Sequence, residues 1–144
     1  MITTKKSVLF VCSYNSCRSQ IAEGLLNALY GDKYQAFSAG IKKTSVSPYA
    51  FEVMKEIGID LSKHYSKEIN EFKDKTFDYV VTVCDNAKEA CPFFPGKKVI
   101  HKSFEDPANY EGDIEYILTV YRKTRDEIKD WIMETFVKNT KEKN

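Results

Sequence analysis

The segment Ser7-Val-Leu-Phe-Val-Cys12 constrains the fold most: after Ser7 nothing polar appears until Ser13, and the run ends on a cysteine. An apolar stretch this short suits a strand covered on both faces, as inner strands of parallel sheets are. Beyond a polar turn, Ile21, Ala22, Leu25, Leu26 and Leu29 recur at helical spacing up to Gly31. A buried strand, a loop and a helix are the opening of a βαβ unit.

The remainder continues the alternation. Gln35 to Gly40 reads as a second short strand. Ser47-Pro48 supplies an N-cap and a proline at the first helical position, Ala50, Val53, Met54 and Ile57 the apolar stripe, and Gly58 the stop. Phe77 to Val83, ending at Cys84, carries the clearest β signal, and Lys97 to Lys102 a weaker one. Ile114, Ile117, Leu118, Tyr121, Ile128, Trp131, Ile132 and Phe136 mark a long closing amphipathic helix whose charged residues read as its solvated face. Lys138 to Asn144 is polar and expected to fray. The pattern predicts an α/β protein with a parallel sheet, in one domain over residues 1–144 with its core at about 7–137. In such sheets ligands bind beyond the carboxyl ends of the strands, where Cys12 and Cys84 both lie.

Composition narrows the partners. Charged residues are 30% of the 144 and the formal net charge is only +1, so no global field recruits nucleic acid or anionic membrane. Anion recognition must be local. The chain is expected to be a monomer. Met1 to Ser7 lacks the apolar run of a signal peptide and no stretch reaches transmembrane length, so a cytoplasmic location is expected. Thiols are kept reduced there, and the four cysteines need an explanation other than structural disulfides.

The loop Cys12-Ser13-Tyr14-Asn15-Ser16-Cys17-Arg18-Ser19 offers one. Cys12 and Arg18 are separated by enough residues to wrap a loop around a tetrahedral oxyanion, with inward backbone N–H groups and the positive end of the following helix dipole. Arg18 is a planar fork able to hold two oxygens, and the Ser19 hydroxyl can donate to the Cys12 sulfur. Helix N-termini and arginines favour a thiolate, so a loop of this make-up is expected to activate its cysteine as a nucleophile. The lysine and glycines of a nucleotide-binding P-loop are lacking, so a tetrahedral oxyanion fits better than a nucleoside triphosphate. The bland alternative is a buried small Cys12 and a surface Arg18.

These residues resemble the low-molecular-weight tyrosine phosphatase fold, and within it the thioredoxin-coupled arsenate reductases. The likeness runs from about Ser7 to Val137 and rests on Val11 to Gln20, Ser38-Ala39-Gly40, Val81 to Cys84 through Cys91-Pro92, and Phe104-Glu105-Asp106-Pro107. It implies a four-stranded parallel sheet of order 2-1-3-4 with helices on both faces. It also implies that Cys12 attacks arsenate, that Cys84 attacks the resulting thio-arsenic adduct to release arsenite and leave a disulfide, and that Cys91 takes over that disulfide and presents it to thioredoxin or a similar dithiol. In that strand order Cys84 ends the neighbour of the Cys12 strand, about 4.8 Å away. Taken alone, Cys84 and Cys91 are equally two buried cysteines flanking a short helix capped by Asp85 and stopped by Pro92. On one helix face their Cα atoms would lie roughly 10 Å apart, beyond the ~7 Å that a disulfide spans, so the segment is expected to unwind partly on oxidation.

Asp106-Pro107 follows the last strand, where the resemblance implies a general acid that protonates the leaving oxygen; the alternative is an ordinary turn. Cys17 reads as a residue that fills the loop. His64 and His101 read as surface or packing residues, and the cysteine spacing is too wide for a zinc site, so no metal is expected. Some reductases of this group hold potassium beside the loop. Asn15 and Ser38 match their ligands, but Tyr65 and Lys67 stand where a hydroxyl and a carboxylate are expected, and the Lys67 ammonium is positioned to replace the ion. Tyr14 occupies a place where relatives often carry glycine. Two rivals remain: a tyrosine phosphatase, although Ala108 and Asn109 rather than aromatics follow Asp106-Pro107, and a thiol redox sensor with an idle loop.

Overall fold

The computed structural model describes residues 5–85 and 93–142, those from 137 onward by backbone alone. In chain order they form β1 (Lys6–Cys12), α1 (Arg18–Tyr30), β2 (Tyr34–Gly40), α2 (Pro48–Lys55), β3 (Tyr79–Thr82), β4 (Lys98–His101) and α3 (Ile114–Glu142), with 3-10 turns at Ile69–Phe72 and Pro107–Asn109. The strands pair in parallel in the order β2-β1-β3-β4. The chain leaves β1 toward β2 on one side and later returns to β3 on the other. That reversal is the switch point at which α/β sheets bind ligands. Cys12 is the last residue of β1, level with Gly40 of β2, and the Val83 amide donates to the Val11 carbonyl at 2.9 Å.

The apolar run of β1 is buried on both faces, as its composition demands. Alternation sends Val8, Phe10 and Cys12 to one cluster with Ile21, Leu25, Val53, Met54, Ile128, Ile132 and Phe136, which brings all three α-helices onto that face. Leu9 and Val11 point the other way, against Phe77, Val80, Phe94, Ile69 and Phe72. Among the described residues the helical cover of this second face is a single 3-10 turn.

The strand at Phe77 begins later than its sequence suggests, at Tyr79. Asp78 explains this. Its carboxylate accepts from the Ser7 amide at 2.9 Å and its own amide donates to the Ser7 hydroxyl at 3.1 Å, so side-chain bonds replace the ladder on the side facing β1. The Ser7 bond holds the Asp78 carboxyl below its ordinary range. β4 is an exposed edge strand, which accounts for its weak apolar signal. Ser47 caps α2 as expected, accepting from the Tyr49 and Ala50 amides at 3.2 and 3.4 Å. Gly58 follows at φ +81°, a conformation that side chains other than glycine disfavour.

Two expectations for the closing helix need correction. Its backbone stays helical to Glu142 instead of fraying at Lys138. Arg125 is no part of a solvated face: it is buried, donating to the Val53 carbonyl at 2.8 Å and to Glu56 at 3.0 Å, which fastens α3 to the end of α2.

Phe136 locks α3 to the sheet through edge-on contacts with Tyr34, Tyr79 and Phe10, with ring centroids 5.0 to 6.3 Å apart. Phe136→Ala is expected to cost about 3–5 kcal/mol of unfolding free energy, read by urea denaturation.

Candidate active site

The loop leaving β1 must turn sharply to enter α1 at Arg18, and Asn15 makes the turn at φ +52°. Asparagine tolerates this left-handed conformation better than most residues, because its side chain can bond locally. The fully buried Asn15 side chain then organises the loop. Its Oδ1 accepts from Gln20 Nε2 at 2.9 Å and from the Lys67 amide at 2.8 Å, and its Nδ2 donates to Ser19 Oγ at 2.8 Å. Since that amide nitrogen only donates, the Ser19 oxygen accepts, which leaves its hydrogen for Cys12 Sγ 2.9 Å away. Giving that hydrogen to Cys12 would make the sulfur the acceptor at the end of a donor chain. Gly40 lets the loop approach: a Cβ there would stand 2.8 Å from the Asn15 nitrogen and 2.9 Å from the Ser13 oxygen.

Above Cys12 opens a cavity of about 280 Å³ lined by Cys12, Tyr14, Ser16, Cys17, Arg18, Thr44, Asp106 and Ala108. It borders the N-terminus of α1, where the helix dipole is positive. Ser13, Asn15 and Ser19 lie behind the cavity wall instead of on it. A larger groove of about 820 Å³ runs beside α3 past Phe104 and Trp131, but it contains neither Cys12 nor Arg18.

Arg18 is buried, with Nη1 donating to the Phe104 carbonyl at 3.1 Å and Nη2 lying 3.4 Å from Asp106 Oδ2. Phe104 is in turn wedged against Trp131 of α3 at 6.1 Å. Asp106 caps the 3-10 turn at Pro107, its Oδ1 accepting from the Ala108 amide at 3.0 Å. The same oxygen lies 3.6 Å from Cys17 Sγ. Burial above all, then the charges of Asp106 and Cys12, pushes the Cys17 thiol well above its ordinary range. It therefore stays protonated and donates to Asp106, a more specific place than loop filling. Burial also raises the Tyr121 phenol, against Ser47, to about 12.

Cys84 follows β3, fully buried in the same cluster of side chains as Cys12. Cys84 is disulfide-bonded, whereas Cys12 and Cys17 are free thiols. Cys91 lies outside the described residues, as does the segment expected to unwind on oxidation.

His64 is neither a surface nor a simple packing residue. Its Nδ1 meets Gln20 Oε1 at 2.9 Å, and because that oxygen only accepts, Nδ1 carries the hydrogen. His101 pairs with Thr82 Oγ1 at 2.6 Å. Among the described residues no cluster of His, Cys, Asp or Glu has the make-up of a metal site, and no helix is long and apolar enough to cross a membrane. Potassium does not fit the residues present. Both acceptor positions of Asn15 Oδ1 are taken by N–H donors, the Ser38 hydroxyl donates to Glu23 at 2.5 Å, and Lys67 Nζ donates to the Tyr65 carbonyl at 2.7 Å.

Sequence reasoning missed Thr44 and Ser66. Ser66 Oγ donates to the Tyr14 carbonyl at 3.1 Å and accepts from the Thr44 amide at 2.9 Å, pinning the outer loop across 52 positions of chain. No local pattern announces such contacts.

The profile of the low molecular weight phosphotyrosine protein phosphatase family matches residues 7–144. The chain belongs to that family. An arsenate reductase of Halalkalibacterium halodurans is 45% identical over 125 residues, 86% of this chain and 90% of that one. Among solved structures, an arsenate reductase in a phosphate-binding state superposes with a TM-score of 0.78 at 32% identity, covering 92% of this chain and 98% of its own. A low molecular weight tyrosine phosphatase from T. tengcongensis gives 0.74 at 30% identity, over 93% and 99%. The family thus includes relatives of both activities, and the choice for this chain rests on its thiols.

Proposed function

We propose that this member of the family is an arsenate reductase that passes electrons through Cys12, Cys84 and Cys91. The observation that carries the reading is a second buried sulfur, the disulfide-bonded Cys84, just past the strand beside that of Cys12. Hydrolysis needs no such neighbour, because water resolves a phosphatase intermediate.

The Cys12 sulfur attacks arsenic, a sulfur–arsenic bond forms, and a leaving oxygen takes a proton from Asp106 to depart as water. The oxyanion takes over Arg18, which otherwise pairs with Asp106. The Cys84 thiolate then attacks the Cys12 sulfur. A sulfur–sulfur bond forms, the sulfur–arsenic bond breaks, and its electron pair stays on arsenic as arsenite. Attack by the Cys91 thiolate on Cys84 frees Cys12, and a thioredoxin-like dithiol reduces the remaining disulfide. The chain works as a one-domain monomer in the cytoplasm and needs no bound cofactor. Ser13, Tyr14, Asn15, Ser16, Cys17, Arg18 and Ser19 hold the oxyanion or its loop.

The deciding experiment follows arsenate-dependent oxidation of reduced thioredoxin with the wild type and each of the four Cys→Ser variants. Loss in the variants at 12, 84 and 91, with activity kept at 17, supports the relay, and thioredoxin oxidation indifferent to Cys84 refutes it. Asp106→Asn should slow a single turnover by about ten-fold or more in rapid-quench kinetics, since general acids contribute typically 10²–10⁴.

A further inference from the structure

Outside the cavity lining, behind the nucleophile loop, lies a buried polar cluster that the proposed reaction does not use. Glu23 of α1 accepts from Ser38 Oγ of β2 and lies 3.8 Å from Lys67 Nζ and 3.7 Å from His64 Nδ1. Lys67 is almost wholly buried. Its ammonium donates to the Tyr65 carbonyl at 2.7 Å and sits 4.5 Å from the Tyr65 ring centroid. The Tyr65 carbonyl also accepts from Gln20 Nε2 at 3.0 Å. The Lys67 backbone meanwhile grips the loop and the sheet: its amide donates to Asn15 Oδ1 and its carbonyl accepts from the Gly40 amide at 2.9 Å.

A buried ammonium is costly unless its neighbours repay the lost hydration, so it persists where it holds something in place. Burial draws the Lys67 ammonium below its ordinary range, and Glu23 and Glu71 pull it back up. What it holds is its own backbone against the one side chain that orders the loop. From Asn15 the chain of donors runs through Ser19 to the Cys12 sulfur.

We infer that Lys67 is a positioning residue whose ammonium, anchored on Glu23 and the Tyr65 carbonyl, supplies from within the chain the cation that braces the oxyanion loop, so that the loop needs no bound potassium. The inference rests on the loop being the oxyanion site of the proposed function. Its readouts, phosphate affinity and Cys12 alkylation, do not involve arsenate reduction, so a failed reductase assay and a failed brace are told apart.

The test uses the full chain in potassium chloride and in choline chloride at equal ionic strength. Inorganic phosphate affinity is read by calorimetry, and Cys12 alkylation by iodoacetamide with peptide mass analysis. The wild type should give the same phosphate Kd in both salts to within two-fold. Lys67→Met should weaken phosphate binding about ten-fold in both salts and slow Cys12 alkylation several-fold. Lys67→Asp, which replaces the ammonium by an oxygen ligand, should regain affinity in potassium but not in choline, a response that a merely space-filling side chain would not produce. A wild type that tightens five-fold or more in potassium overturns the inference, as does a folded Lys67→Met with unchanged phosphate Kd. The wild-type comparison needs no variant, so a Lys67→Met that fails to fold leaves the test standing.

Discussion

Cys84→Ser is expected to bring multi-turnover arsenate reduction down to background while leaving the oxyanion loop able to bind. A serine hydroxyl does not attack sulfur at neutral pH, whereas thiol–disulfide exchange requires a thiolate at this position. The variant should form the adduct between Cys12 and arsenic once and then stop. Phosphate-ester hydrolysis, if the chain performs it, should persist, because water and not a second sulfur resolves that intermediate. A pure binding module would be silent in both assays. Because Cys84 is fully buried, an added hydroxyl without a partner costs about 1–3 kcal/mol, and Cys84→Ala serves as the apolar control. Loss of turnover in both variants, with phosphate affinity retained, separates chemistry from folding. Arsenate-dependent thioredoxin oxidation at the wild-type rate in Cys84→Ala would sink the relay.

Arg18→Lys should be nearly as damaging, through binding and not through electron transfer. Arg18 is fixed by the Phe104 carbonyl and by Asp106, so its fork is aimed before an anion arrives. Lysine keeps the charge but supplies a single point donor in place of two parallel ones. Losing one charge-assisted hydrogen bond costs roughly 1.5–3 kcal/mol. Losing the second donor and the grip on Phe104 together is set at about 3 kcal/mol, or on the order of a 100-fold weaker phosphate Kd by calorimetry. A change below five-fold would mean that the anion is held by backbone amides alone.

The architecture was legible because several kinds of signal agreed. The apolar run at β1, the spacing from Ile21 to Leu29, the Ser47-Pro48 cap and the closing amphipathic stripe each correspond to an element found in the structure. β4 was faint because an edge strand buries little. The 3-10 turns at Ile69–Phe72 and Pro107–Asn109 left no periodic trace, being too short to repeat a pattern. Arg125 escaped because a charge in a helical stripe looks solvated until a neighbouring helix end supplies its acceptors.

The chemistry of the loop was encoded locally. A thiol, a guanidinium and a hydroxyl stand within eight consecutive residues between a strand and a helix, so backbone geometry alone brings them to one anion. The order of donors around them was not. That Cys17 donates to Asp106, and that Lys67 reaches under the loop to Asn15, depend on groups brought together from distant parts of the chain. Spacing along a chain specifies which groups are near in sequence, whereas the direction of a hydrogen bond is set by the acceptors that folding places opposite them.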